Sequence, residues 1–180
     1  MRLLCLLTFN VCILASSCSR QDQTAALPND EMTRNAKRDA NACATALKDG
    51  DYKGMVQYMP AKLSNMLGGA EGMRKMIEAG KKGKDGSGMQ ILETTIGEPG
   101  AIKKDGERHL TLVPQTNLIK VTGGRITGEG WLLGISDDGG RNWVFVDSAK
   151  MRDERFKQVF PELAGKMEAP SVAPPTFEED

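Results

Sequence analysis

From Asp30 onward, apolar residues recur at helical spacing. Met32, Ala36, Ala40, Cys43 and Leu47 are separated by four, four, three and four positions, so they share one stripe of an amphipathic helix. Asp30 stands where an N-cap is expected, and Gly50 where a helix stops. A second, short helix is expected after Asp51, with Tyr52, Met55, Val56 and Met59 on one side and Pro60 at its end. Leu63, Met66 and Leu67 carry an apolar face on to Gly68-Gly69. A third helix is expected over about 70–80, with Met73, Met76 and Ile77 inward, and the polar run from Gly80 to Gly88 reads as a loop.

Beyond residue 88 the period changes from helical to two. Strands are expected at about 89–97, 107–121, 124–136 and 142–148, joined by glycine-rich turns at 97–106, 122–124 and 137–141. Such short connections make hairpins, hence an antiparallel meander. Pro114 has no N–H for a ladder and should mark a bulge or an edge. In the third strand, Trp131, Leu133 and Ile135 share a face with Arg125, Thr127 and Glu129; Ile126, Gly128, Gly130, Leu132 and Gly134 take the other. A last helical piece at 152–160 carries Phe156, Val159 and Phe160, and residues 165–180 read as a disordered tail. The expected fold is therefore α+β, with N-terminal helices packed on a curved antiparallel β-sheet over residues 30–164.

The N-terminus changes the picture. Leu3 to Ala15 is apolar apart from Thr8 and Asn10, follows Arg2, and ends in the small residues Ala15-Ser16-Ser17. It is shorter than the roughly 20 residues a bilayer core requires, and reads as a signal peptide over 1–17. Leu14-Ala15-Ser16-Ser17-Cys18 resembles the lipobox of bacterial lipoproteins. The resemblance implies cleavage before Cys18, lipidation of its thiol, and a polar tether over 18–29 holding the domain in the cell envelope. Cys5 and Cys12 leave with the signal peptide, so the mature chain keeps Cys18 and Cys43. With Cys18 acylated, no internal disulfide remains available; without acylation, a Cys18–Cys43 bridge is open.

Charge removes other classes. The 24 basic and 24 acidic residues cancel, and Lys81-Lys82-Gly83-Lys84 and Lys103-Lys104 lie among glycines and acids. No basic face for nucleic acid emerges. No set of ligands has metal-site spacing, and no cofactor motif is visible.

The element order is similar to that of small bacterial proteins of the NTF2-like (cystatin-related cone) superfamily. So are Gly50-Asp51-Tyr52, Tyr58-Met59-Pro60 and Asp138-Gly139-Gly140-Arg141-Asn142-Trp143-Val144-Phe145-Val146-Asp147. The early β-hairpin of that fold has no counterpart here. The superfamily includes isomerases, dehydratases and non-catalytic binding modules, so the resemblance leaves the activity open. Ser136, Asp138, Gly140 and Trp143 also match the Asp-box pattern, a hairpin device that one copy supports only as structure.

Two residues are candidates for catalysis. Glu129 shares a face with Trp131 and would be desolvated if that face lined the cone. His109, the sole histidine, is of a residue type suited to general-base work but has no accompanying nucleophile motif and is expected at the surface or rim. Tyr58 and Trp131 are candidates for lining a ligand pocket, while the methionines suit core filling. Three readings stay open: a membrane-tethered module binding a small apolar ligand or an envelope protein, a cofactor-independent isomerase or dehydratase, and a homodimeric interaction protein. The anchor itself is testable. Cys18→Ala should move the protein from the membrane to the soluble fraction and abolish acyl labelling; intact-mass analysis showing a native chain that begins at an unmodified Cys18 would refute lipidation.

Overall fold

The alternation beyond residue 88 builds a sheet whose two long strands carry everything else. A computed structural model describes residues 26–82, 88–151 and 154–180; the expected signal peptide, Cys18 and most of the polar run after Gly80 lie outside them. Strand β3 (Arg108–Val121) and strand β4 (Gly124–Ser136) pair antiparallel along their full length, from His109 opposite Ser136 to Val121 opposite Gly124. On the free edge of β3 lie β1 (Gln90–Ile96) and the short β2 (Lys103–Asp105), end to end. On the free edge of β4 lie β5 (Val144–Asp147) and β6 (Thr176–Glu179). The six strands form one curved antiparallel sheet that does not close.

Helices cover one face. Helix α1 (Asn29–Asp49) is the amphipathic helix expected from the stripe, with Met32, Ala36 and Ala40 buried. It begins a residue before the expected cap: Pro28 holds that position, its carbonyl accepting from the N–H groups of Glu31 and Met32. Gly50 ends it with φ 71°, and the bonds Gly50 N–H to Leu47 and Asp51 N–H to Ala46 form a Schellman closure. Asp51 caps α2 (Tyr52–Gln57), accepting from Gly54 N–H at 2.9 Å. Helices α3 (Ala61–Met66) and α4 (Gly69–Lys82) follow, and no strand precedes Gln90 among the described residues.

Two cores result, one on each face. Met32, Ala36 and Ala40 meet Ile96, Val113, Trp143 and Phe145 on the helix-covered face. On the opposite face Leu110, Leu133 and Ile135 meet Phe156, Phe160 and Leu163. The expected last helix is α6 (Glu154–Val159), and a further short helix that the pattern did not suggest, α5 (Ser148–Met151), follows β5.

Two expectations need correction, and a third is met in an unforeseen way. The turn at 97–106 contains β2, which gives β3 a second neighbour at its start. Pro114 lies inside β3 at the gap between β1 and β2, where that side of the strand is locally an edge, one of the two settings expected for it. Gly97 N–H bonds to its carbonyl at 2.8 Å, so its missing donor faces no ladder partner. The tail is not disordered throughout. The first half of β4 extends beyond β5, leaving backbone groups that β6 pairs, Ile126 opposite Phe177.

Helix and sheet are joined at the turn between β4 and β5. Asp138 Oδ1 accepts from Ser136 Oγ at 2.8 Å, Arg141 N–H at 3.1 Å and Asn142 N–H at 3.0 Å. Gly140 adopts φ 87°, and a Cβ there would collide with Met32 of α1. Asp39, only 6% exposed, takes the Arg38 guanidinium on both oxygens and accepts from Trp143 N–H at 3.0 Å.

Burial alone would push the Asp138 carboxyl up, but the hydrogen bonds from Asn142, Ser136 and Arg141 outweigh it and hold it below the ordinary 3.8. A carboxyl depressed on folding stabilises above its unfolded pKa, and that contribution is lost as pH falls through the folded value. Asp138→Ala should therefore cost about 1–3 kcal/mol at neutral pH by leaving loop amides unpaired. The gap to the parent should narrow below about pH 4; urea unfolding at pH 7 and pH 3 reads both effects.

Candidate ligand cavity

Between the helices and the concave face of the sheet the packing is incomplete. The far half of α1 presents small side chains, Ala40, Cys43 and Ala44, and the sheet below carries glycine at positions 128 and 130. A cavity of about 590 Å³ lies there, within the range of small-molecule sites. Its walls are Met55 and Met59 of α2, Leu63 and Met66 of α3, and Met73 and Met76 of α4. Ile91 and Ile96 of β1, Ile119 of β3 and Leu132 of β4 face them. At the β5 edge, Phe156 and Val159 of α6, with Phe160 just beyond it, close the end. Met66 and Met76 are 59% and 51% exposed, so the wall opens to solvent between α3 and α4.

The polar groups in this wall are few. Thr94 Oγ1 donates to Asn117 Oδ1 at 2.7 Å across the β1–β3 pair. The side-chain amide of Gln115 and the Nδ2 of Asn117 have no hydrogen-bond partner among the described residues. Opposite them on β4 stand Gly130 and Gly128, which add no side chain over the amides. Cys43 lines the same space; burial pushes its thiol up to about 11, so it is a neutral apolar wall group at physiological pH. Asp147 stands at the rim, its Oδ1 accepting from Ala149 N–H at 2.9 Å.

None of the candidate residues from the sequence lines this cavity. Glu129 is exposed on the opposite face, paired across to Thr116; the desolvated position that its parity with Trp131 suggested does not arise. The parity itself holds, but the helices α1 to α4 cover the face of Leu132 and Gln115 instead. Trp131 is half-buried beside Pro114, with its Nε1 lacking a partner. Tyr58 packs at the edge of the α1 core, where its carbonyl accepts from Phe145 N–H at 2.7 Å.

His109 also departs from expectation. It is 5% exposed rather than at the surface, because β2 and β4 flank it on both sides, Lys104 and Ser136 being its register partners. Its Nδ1 has no partner among the described residues, and it lies outside the cavity wall. Among the described residues, no group of three His, Cys, Asp or Glu side chains could hold a metal ion, and no helix is long and apolar enough to cross a membrane. Sequence reading missed Gln115 and Asn117 because a polar residue on a half-buried strand carries no pattern of its own.

Set against known proteins, the chain matches no family model, no curated protein and no solved structure.

An exposed Glu129 makes a clear prediction. Glu129→Gln should leave stability within about 0.5 kcal/mol of the parent, and the two urea-unfolding profiles should superimpose from pH 4 to 8. A stabilised variant at neutral pH would place the carboxylate in a buried setting instead.

Proposed function

We propose that this chain is a membrane-tethered lipoprotein of the cell envelope whose α+β domain, NTF2-like by resemblance, binds a small apolar ligand without transforming it. The cavity between α1–α4 and the sheet carries this reading: it is apolar almost throughout, of ligand size, and open at a methionine-rich mouth. A space of this size lined by leucine, isoleucine and methionine forfeits dispersion contacts when empty, so filling it with apolar atoms is favourable. The lipobox-like Leu14-Ala15-Ser16-Ser17-Cys18 supports the tether. The enzymatic alternative rested on Glu129 and His109, and neither side chain reaches the cavity.

The exported chain carrying Cys18→Ala, used to dispense with detergent, should bind the neutral fluorophore N-phenyl-1-naphthylamine with a blue-shifted, enhanced emission. Ala44→Trp, which fills the space from α1, should reduce that binding at least tenfold while the urea midpoint stays close to the parent's. Equal binding by both chains would mean that the fluorophore sits elsewhere and would remove the support for a ligand site here.

A further inference from the structure

The cavity is apolar, yet it is not featureless, and its few polar groups constrain what it can accept. Gln115 and Asn117 are successive inward positions of β3, since side chains alternate along a strand, and both lie in the wall. Thr94 occupies one lone pair of Asn117 Oδ1, which orients that amide with its Nδ2 as the remaining donor. The Gln115 amide contributes a second unused donor group. Gly130 stands beside the Gln115 amide on β4 and places no side chain over it, while beside Asn117 the position of Gly128 is approached by Pro175.

The charged groups point the same way. The cavity wall contains no lysine, arginine or histidine, and its one ionisable acid is Asp147 at the rim. Lys62 of α3 directs its ammonium to the Val159 carbonyl and over the Phe160 ring, 5.4 Å from the centroid. A carboxylate or phosphate entering this wall would lose its hydration without gaining a cation. A neutral carbonyl would exchange water for an amide donor, while its apolar body would replace water along the methionines.

We infer that the cavity selects an uncharged apolar molecule bearing a hydrogen-bond acceptor, a ketone, ester or amide, which Gln115 and Asn117 hold, and that it rejects the corresponding carboxylate. This rests on the reading of the cavity as a ligand site.

Three probes of nearly equal shape test it by equilibrium dialysis at pH 8 with the Cys18→Ala chain: 2-acetylnaphthalene, 2-ethylnaphthalene and 2-naphthoate. The ketone and the hydrocarbon should bind, and the carboxylate should bind at least tenfold more weakly than either. Gln115→Met keeps the side-chain length and removes the donor; it should lower the preference for ketone over hydrocarbon about fivefold, the worth of one neutral hydrogen bond. Comparing that ratio between parent and variant cancels the different water solubilities of the probes. The paired change Thr94→Val with Asn117→Leu removes both partners of one bond together, leaving no orphan, and should lower the ratio in the same direction. Failure of all three probes to bind would overturn the ligand-site reading itself. Binding of the ketone and hydrocarbon with a ratio that neither variant changes, or equal binding of the carboxylate, would overturn the selectivity and leave the ligand site standing.

Discussion

A carboxylate buried on α1 ties the helical layer to the sheet. A carboxylate in that position needs partners, because burying an unpaired polar group is costly. Its partners come from two places: the guanidinium of Arg38 on its own helix, and the Trp143 N–H at the end of the Asp-box turn. Around this contact Arg38 also reaches the Arg141 carbonyl, Asn35 the Gly140 carbonyl, and Leu27 N–H the Gly139 carbonyl. The turn therefore fits α1 at one axial position. Trp143 and Phe145 then lie against Gly134, where an added Cβ would crowd both rings. The half of α1 that starts the helix is thereby fixed, and the half that follows Ala40 roofs the cavity.

That division separates two kinds of structure within one domain. At the pinned end the core is filled and its polar groups are largely matched. At the other end α2 and α3 have no fully buried residue, so they cover the cavity through half-buried methionines and leucines. Gly68 and Gly69, both at positive φ, join α3 to α4. The clasp of Lys62 on Val159 and Phe160 holds the outer side of α3. Elements with so few buried contacts open at the lowest free energy in a domain, and here they stand over the apolar cavity.

Much of this architecture was legible from residue pattern. The stripe from Met32 to Leu47 gave α1, and period-two alternation placed β1, β3, β4 and β5 within one or two residues, because both signals follow directly from which positions must be buried. Asp39 was not legible: a charged residue beside an apolar stripe reads as solvated until its distant partner, Trp143, is known. β2 and β6 were missed for a related reason, since neither has an apolar face and each exists through backbone pairing to a long neighbour. The site was read least well. Period two assigned Glu129 and Trp131 correctly to one face, but nothing local says which face the helices will cover.

The C-terminal strand has a consequence for how molecules of this protein meet one another. All four residues of β6 are exposed, so the strand adds little apolar burial and little stability. What it does is occupy the hydrogen-bonding groups of Gly124 to Thr127, with Asp180 N–H returning to Gly123 and its carboxylate near Arg125. An open strand edge is a template for a neighbouring chain, and β6 takes up that stretch of the β4 edge from within the same molecule. Without β6, the backbone groups of Gly124 to Thr127 on that side of β4 would stand open to another strand.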